Sequence, residues 1–251
     1  MQAVRVHEGR AVPLDRSDVD TDQIIPSDWL KRVERTGFGK GLFSEWRDER
    51  DFILNDEDYV GASILVAGSN FGTGSSREHA VWALMDYGFM AVISPRFGDI
   101  FKNNATKNGL IPCQISENGA SKLREALHRD PGLAVTVDVE RLKVLVPAIG
   151  LEEDFPMDDA TRERFLEGLD DIGITLRSEG SIDGYEKNRS GWLPSTCAPQ
   201  SFIRSSIQAL PLRPTEFLLP IEDLPKSLQL SNGLMPMPLK HGLRRRHVLD
   251  P

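Results

Sequence analysis

The chain has 251 residues, of which 39% are hydrophobic and 27% charged, and a formal net charge of −8, a balance expected of one or two soluble globular domains. No apolar run approaches the roughly 20 residues needed to cross a bilayer, and the first residues hold no apolar signal core, so a cytoplasmic protein with no membrane role is expected. Residues 194–251 carry seven Lys and Arg against four Asp and Glu, which leaves −11 on residues 1–193, and so acidic a body argues against nonspecific binding of nucleic acid.

In chain order, the first chemical cluster is Asp18-Val19-Asp20-Thr21-Asp22-Gln23. It begins like a calcium loop but has Gln23 where the turn glycine is required and Trp29 where the closing glutamate is required, so the EF-hand reading fails. Turn and strand-edge structure is the default for such a cluster. Residues 62–67 form a short, nearly continuous apolar run of the kind buried in parallel sheets. A helix is predicted over 75–87, with Ala80, Ala83, Leu84 and Tyr87 on one face and Gly88 as its stop. Residues 89–94 read as a strand, 96–106 as a helix stopped by Asn108-Gly109, and 110–115 as a strand. Strand–helix–strand alternation of this kind implies a parallel sheet with right-handed crossovers. Further on, 121–129 reads as a helix, 134–139 and 141–146 as two strands, and 161–170 as a helix, with Asp171-Ile172-Gly173 leading into Ile174-Thr175-Leu176. The last part, 195–251, reads differently: it holds most of the nine prolines that follow residue 193, out of sixteen in the chain, and is expected to be a poorly structured, disordered extension.

The most informative stretch is Gly68-Ser69-Asn70-Phe71-Gly72-Thr73-Gly74-Ser75-Ser76-Arg77-Glu78-His79-Ala80. Gly72 and Gly74 allow a tight loop whose backbone approaches a ligand closely. Ser75-x-x-Glu78 has the form of a capping box, which predicts Ser75 at or near a helix N-cap. Free amides, the positive end of a helix dipole, two hydroxyls and a guanidinium would then meet in one place, a site suited to a small carboxylate. The string matches neither the Gly-Lys-Ser/Thr phosphate loop nor the three-glycine dinucleotide fingerprint. His79 lacks the partners of a zinc motif and is expected to be a hydrogen-bonded structural histidine; Asp99, Asn103 and Asn104 are likewise expected to be structural. The only cysteines, Cys113 and Cys197, are not spaced for a disulfide scaffold, zinc or an iron–sulfur cluster, and no metal site is expected on this chain.

Gly-Thr-Gly-Ser-Ser-Arg-Glu-His-Ala closely resembles the signature of the swivelling domain of the aconitase superfamily. Pro13-Leu14-Asp15-Arg16, Asp20-Thr21-Asp22-Gln23-Ile24-Ile25-Pro26, the run from Arg35 to Phe43 and Gly168-Leu169-Asp170-Asp171-Ile172-Gly173 narrow the likeness to the small subunits of bacterial 3-isopropylmalate dehydratases. The resemblance covers residues 1–194 and places the loop of Asp18–Gln23 beside the active site. It implies an α/β fold of the three-layer β/β/α swivelling type with a parallel sheet core, and two parts, 1–194 and 195–251. It implies a hydro-lyase of leucine biosynthesis that is inactive alone, because the [4Fe-4S] cluster is supplied by a separate large subunit and no cofactor is bound by this chain. The substrate implied is a small hydroxy-dicarboxylate.

Carried onto this sequence, the resemblance makes Ser75 the catalytic base and gives Ser76 and Arg77 to a substrate carboxylate, with Thr73 and Gly74 completing the binding loop. Thr73 stands where many small subunits have cysteine. The segment 27–43 is implied to border the pocket for the substrate's variable group, with Trp29, Leu30, Arg35, Thr36, Gly37 and Phe38 as its specificity loop; for Trp29 and Leu30 a plain core role is an equal alternative. A sister hydratase acting on citraconate, homoaconitate or a methylmalate-type acid remains open, as does a non-catalytic carboxylate-binding module.

Overall fold

The computed structural model describes residues 1–31 and 36–193. Arg35, Cys197 and the extension at 195–251 therefore lie outside the described residues. Met1–Asn188 make up one contact unit; of the second, Arg189–Pro251, a turn closed by Leu193 N–H to the Ser190 carbonyl (3.0 Å) is described.

Strand β1 (Val6–Leu14) is the hinge of a seven-stranded sheet. Its last four residues pair in parallel with β2 (Ile64–Ala67), and its first five pair antiparallel with a later strand. Between β1 and β2 run a one-turn helix α1 (Thr21–Ile24) and several 3-10 turns. From β2 the chain passes through α2 (His79–Tyr87), β3 (Ala91–Ser94), α3 (Asp99–Asn108) and β4 (Ile111–Gln114). These strands continue the parallel half in the order β4-β3-β2-β1. After α4 (Glu117–Arg129), the strands β5 (Ala134–Asp138), β6 (Lys143–Val146) and β7 (Leu151–Asp154) add the antiparallel half beyond β1. Helices α5 (Asp159–Glu167), α6 (Asp171–Leu176) and α7 (Glu179–Lys187) follow. No described helix is long and apolar enough to cross a membrane.

The period-2 alternation of strands divides the buried residues between two cores. Val12, Leu14, Leu65, Ala67 and Val92 face one side, covered by Ala80, Val81, Ala83 and Leu84 of α2 and by Phe101 and Ala105 of α3. Ala11, Ile64, Val66, Ala91, Ile93 and Ile111 face the other, covered by Leu123 and Leu127 of α4 and by valines of β5 and β6. All four residues of β2 are buried because α2 and α3 lie on one face and α4 on the other. The expected α/β fold with a parallel core is present. Cys113 sits in this second core on β4, and burial pushes its thiol far above the ordinary range.

Two local expectations are corrected. The helix read over 75–87 begins at His79, with Glu78 as its N-cap residue and no side-chain cap. Residues 171–176, left without an element in the sequence reading, form helix α6, because Asp170 caps the segment by accepting from Gly173 N–H (2.7 Å). Helix α4 starts at Glu117 rather than 121, because Ser116 accepts from Gly119 N–H (2.9 Å). By contrast Gly109, in the left-handed region, ends α3 as read.

Candidate active site on the glycine loop

The loop leaves the carboxyl end of β2 and is held from both sides. On one side, Phe71 N–H donates to the Arg96 carbonyl (3.0 Å) and Gly98 N–H to the Phe71 carbonyl (2.9 Å), while the buried Phe71 ring packs edge-on against Phe101 (5.3 Å). On the other, the acidic cluster runs alongside it. Asp18 N–H donates to the Ser69 carbonyl (2.8 Å), Gly72 N–H to the Val19 carbonyl (2.7 Å) and Thr21 N–H to the Thr73 carbonyl (2.9 Å). Asn70 Nδ2 donates to Asp18 Oδ1 (2.7 Å), and both residues hold left-handed backbone, which Asn and Asp tolerate. Asp18–Gln23 is therefore the second wall of the glycine loop.

These contacts decide where Ser75 goes. Asp20 uses its own carboxylate to cap α1, accepting from Gln23 N–H (2.8 Å) while Gln23 Oε1 accepts from Asp20 N–H (2.9 Å), so the capping box of this region sits there. Ser75 is instead drawn toward α1: its carbonyl accepts from Arg77 N–H (2.8 Å) and from Thr21 Oγ1 (3.1 Å). Glu78, the other half of the expected box, accepts from Asn108 Nδ2 of α3 (2.7 Å). Ser75 is thus not an N-cap; it lies on an exposed turn three residues ahead of the N-cap residue, Glu78.

Ser75 and Ser76 are exposed, and Ser75 Oγ lies 3.4 Å from Thr21 Oγ1. Among the described residues no acceptor engages the amides of Gly74, Ser75 or Ser76. The Arg77 side chain is four-fifths buried and its guanidinium pairs with Asp22. Five donors serve that guanidinium, so one carboxylate does not exhaust it. Free amides, two hydroxyls and a fixed guanidinium on one turn are donors for a carboxylate and for an oxyanion.

The remaining sequence candidates fall into two groups. Thr73 and Gly74 belong to the same turn, Thr73 half-buried and bridged to Asp20. The specificity segment is less uniform. Phe38 is buried, its ring 5.4 Å from His79 and 5.8 Å from Trp82, so it supports α2 from beneath. Trp29 is half-buried with its ring laid on Gly41, where a Cβ would come within 2.5 Å of it. Leu30 is half-buried, Thr36 exposed, and Gly37 left-handed ahead of a 3-10 turn. His79 is structural through ring packing on Phe38 and Trp82; the expected hydrogen bond is not made among the described residues. A cleft of about 440 Å³ between Lys102, Pro112 and Met157 takes in none of the loop's polar groups.

The family of aconitase C-terminal domains matches residues 1–118, and the family of C-terminal domains from 3-isopropylmalate dehydratase small subunits matches 171–194. The 3-isopropylmalate dehydratase small subunit of Frankia alni is 60% identical over 195 residues, 78% of this chain and 99% of that protein. This chain belongs to the family of 3-isopropylmalate dehydratase small subunits. A second member, from Rubrobacter xylanophilus, is 55% identical over 77% of this chain and 98% of its own length. The crystal structure of a 3-isopropylmalate dehydratase from Methanocaldococcus jannaschii superposes with a TM-score of 0.53 at 26% identity, covering 72% of this chain and 99% of that one. Thr21 and Asp22 touch the loop through Ser75 and Arg77; the resemblance set the Asp18–Gln23 loop beside the site, but it assigned neither contact to a single residue. Their signal was a hydroxyl set between carboxylates, Asp20-Thr21-Asp22.

Among the described residues no three of His, Cys, Asp and Glu stand together as a metal donor set, and Cys113 is enclosed in the core. The side chains described do not fit an iron–sulfur cluster.

Proposed function

We propose that this chain is the small subunit of a heteromeric 3-isopropylmalate dehydratase, interconverting 2- and 3-isopropylmalate by dehydration and rehydration in leucine biosynthesis in the cytoplasm. The observation that carries the reading is the match to small subunits over nearly their whole length. The exposed, half-built character of the loop supports it. Residues 1–194 are the swivelling domain in this reading, and 195–251 stand outside the catalytic unit. The large subunit supplies the [4Fe-4S] cluster, whose Lewis acidity would assist departure of the hydroxyl.

This chain supplies the proton-transfer and carboxylate-binding side. Ser75 Oγ is the base that takes the proton from the carbon next to a substrate carboxylate. A serine hydroxyl is a poor base unless its oxyanion is stabilised, and the unengaged amides, the nearby start of α2 and the Arg77 guanidinium are placed to do so. Ser76 donates to a substrate carboxylate and Arg77 binds it with its guanidinium edge, with Thr73 and Gly74 shaping the loop around it. Trp29, Leu30, Arg35, Thr36 and Gly37 border the pocket for the isopropyl group, with Phe38 holding that segment from below.

The test mixes this chain anaerobically with the cluster-loaded large subunit and assays 3-isopropylmalate, with each subunit alone as control. Activity in the mixture only is the expected outcome. An assembled mixture that ignores isopropylmalate but turns over citraconate or homoaconitate would move the substrate assignment to a sister acid. Ser75→Ala is expected to reduce turnover by about 10²–10⁴-fold, the range of a lost general base, with assembly on gel filtration unchanged. Activity close to wild type would remove Ser75 as the base.

A further inference from the structure

Thr21 is one of the few polar residues in the body that water does not reach, at 2% exposure, and its hydroxyl is turned toward Ser75. Two acceptors lie within its reach, the Ser75 carbonyl at 3.1 Å and Ser75 Oγ at 3.4 Å. A hydroxyl has one proton to give and lone pairs to receive. While Ser75 is protonated, Thr21 Oγ1 can donate to the carbonyl and accept from Ser75 Oγ–H. Once Ser75 has lost its proton, Oγ becomes the stronger acceptor and the same Thr21 proton is better placed there.

Two observations make that exchange inexpensive. The Ser75 carbonyl keeps a second donor, Arg77 N–H at 2.8 Å, so it is not orphaned when Thr21 turns away. Thr21 itself does not move: its N–H is held by the Thr73 carbonyl (2.9 Å), its helix is closed by the Asp20–Gln23 box, and a β-branched side chain is stiff about χ1. Only the torsion of the O–H bond changes.

We infer that Thr21 is a positioning residue whose buried hydroxyl transfers its hydrogen bond from the backbone carbonyl to the Oγ of Ser75 as that oxygen becomes charged. The inference rests on the reading of Ser75 as the base, and its experiment separates the two. Thr21→Val keeps the shape and removes the donor. In the assembled heteromer, kcat is expected to fall on the order of 10²-fold, the effect of one lost oxyanion donor, with KM nearly unchanged. The limb of the kcat–pH profile that reports the base is expected to move to higher pH, because the charged form has lost a stabilising donor. Thr21→Ser, which restores the hydroxyl, is expected to recover most of kcat and the original limb.

Wild-type kcat and pH profile in Thr21→Val, with Ser75→Ala inactive, would overturn the role of Thr21 and leave the base in place. A loss of kcat without displacement of the limb, not recovered by Thr21→Ser, would mean that Thr21 acts through packing alone. Retained activity in Ser75→Ala would instead overturn the base assignment itself. Should Thr21→Val fail to assemble with the large subunit, Thr21→Ala removes the same donor without introducing a second methyl branch and is read by the same two quantities.

Discussion

The tightest point of the loop is Gly72, and replacing it tests whether the walls described above fix the loop or merely accompany it. Gly72 has a φ of +75°, and a Cβ built there would come within 2.3 Å of Phe101 Cγ and 2.6 Å of its Cβ. Phe101 cannot swing aside easily, since its ring lies parallel to Phe97 at 6.2 Å and edge-on to Phe71 at 5.3 Å. Gly72→Ala therefore pays twice: about 1–2 kcal/mol for left-handed backbone with a side chain, and about 1–3 kcal/mol for overpacking a closed core. Gly74 supplies the control. Its φ is +88°, but the nearest atom to a new Cβ is Asp20 Cβ at 3.4 Å, an ordinary contact. Gly74→Ala should lose the conformational part alone, about 1–2 kcal/mol.

Thermal and urea unfolding of the full chain read the difference. At roughly 2–4 °C per kcal/mol for a body of this size, a loss of about 3 kcal/mol in Gly72→Ala lowers Tm by roughly 6–12 °C, about twice the shift of Gly74→Ala. Equal shifts in the two variants would show that Phe101 yields at little cost and that the contact with α3 does not set the loop. Gly72→Ala should also lower turnover in the heteromer by about 10²-fold, because Gly72 N–H holds the Val19 carbonyl and its displacement carries Ser75 with it.

Two further outcomes follow from the same structure. Asp22→Asn removes a carboxylate that is 55% exposed, so stability should change by less than about 1 kcal/mol, while KM for the hydroxy acid rises because Arg77 is no longer held in one orientation; a fall in KM would show that Asp22 competes with substrate. Asp158 accepts from Thr161 at the start of α5, and those hydrogen bonds, from the side chain and then the backbone, hold its carboxyl below the ordinary range. A carboxyl depressed in the folded state stabilises above its unfolded value of about 3.9 and loses that contribution as pH falls through the folded value. Urea curves at pH 7 should show Asp158→Ala about 1 kcal/mol less stable, and the gap should narrow progressively as pH falls below about 4; a gap independent of pH would assign the effect to something other than the charged cap.

What the sequence discloses and what it conceals divide along the line between local and distant causes. β2, β3 and β4 were readable because each is buried on both faces and so appears as an uninterrupted apolar run. β1 was not, although it is the hinge of the sheet. Its first five residues alternate exposed and half-buried, with His7, Glu8 and Arg10 among them, and Gly9 and Pro13 argue against a strand. Pairing with β5 on one side and β2 on the other creates it, and Gly9 serves because a Cβ there would lie 2.1 Å from Ser63 Oγ. The loop's donor set, two exposed hydroxyls and a guanidinium beside open amides, was legible from Gly-Thr-Gly-Ser-Ser-Arg alone. The capping pattern Ser75-x-x-Glu78 misled because Thr21, 54 residues earlier, outbids the helix for the Ser75 carbonyl, while Asn108 takes the glutamate.

That competition also bears on why such a site would be divided between two chains. The amides of Gly74, Ser75 and Ser76 face water and cost nothing while solvated. Covering them with another protein surface would leave three donors unsatisfied, at about 1–3 kcal/mol each, unless an anion were enclosed with them. On the proposed assignment the substrate carboxylate is that anion. Closure over an empty loop is then opposed and closure over a loaded one is favoured, so substrate binding and exclusion of water become one step. A loop satisfied by its own helix, as the cap pattern first suggested, would have no such preference. By holding Ser75 outside α2, Thr21 and Asp20 keep those donors free for the ligand.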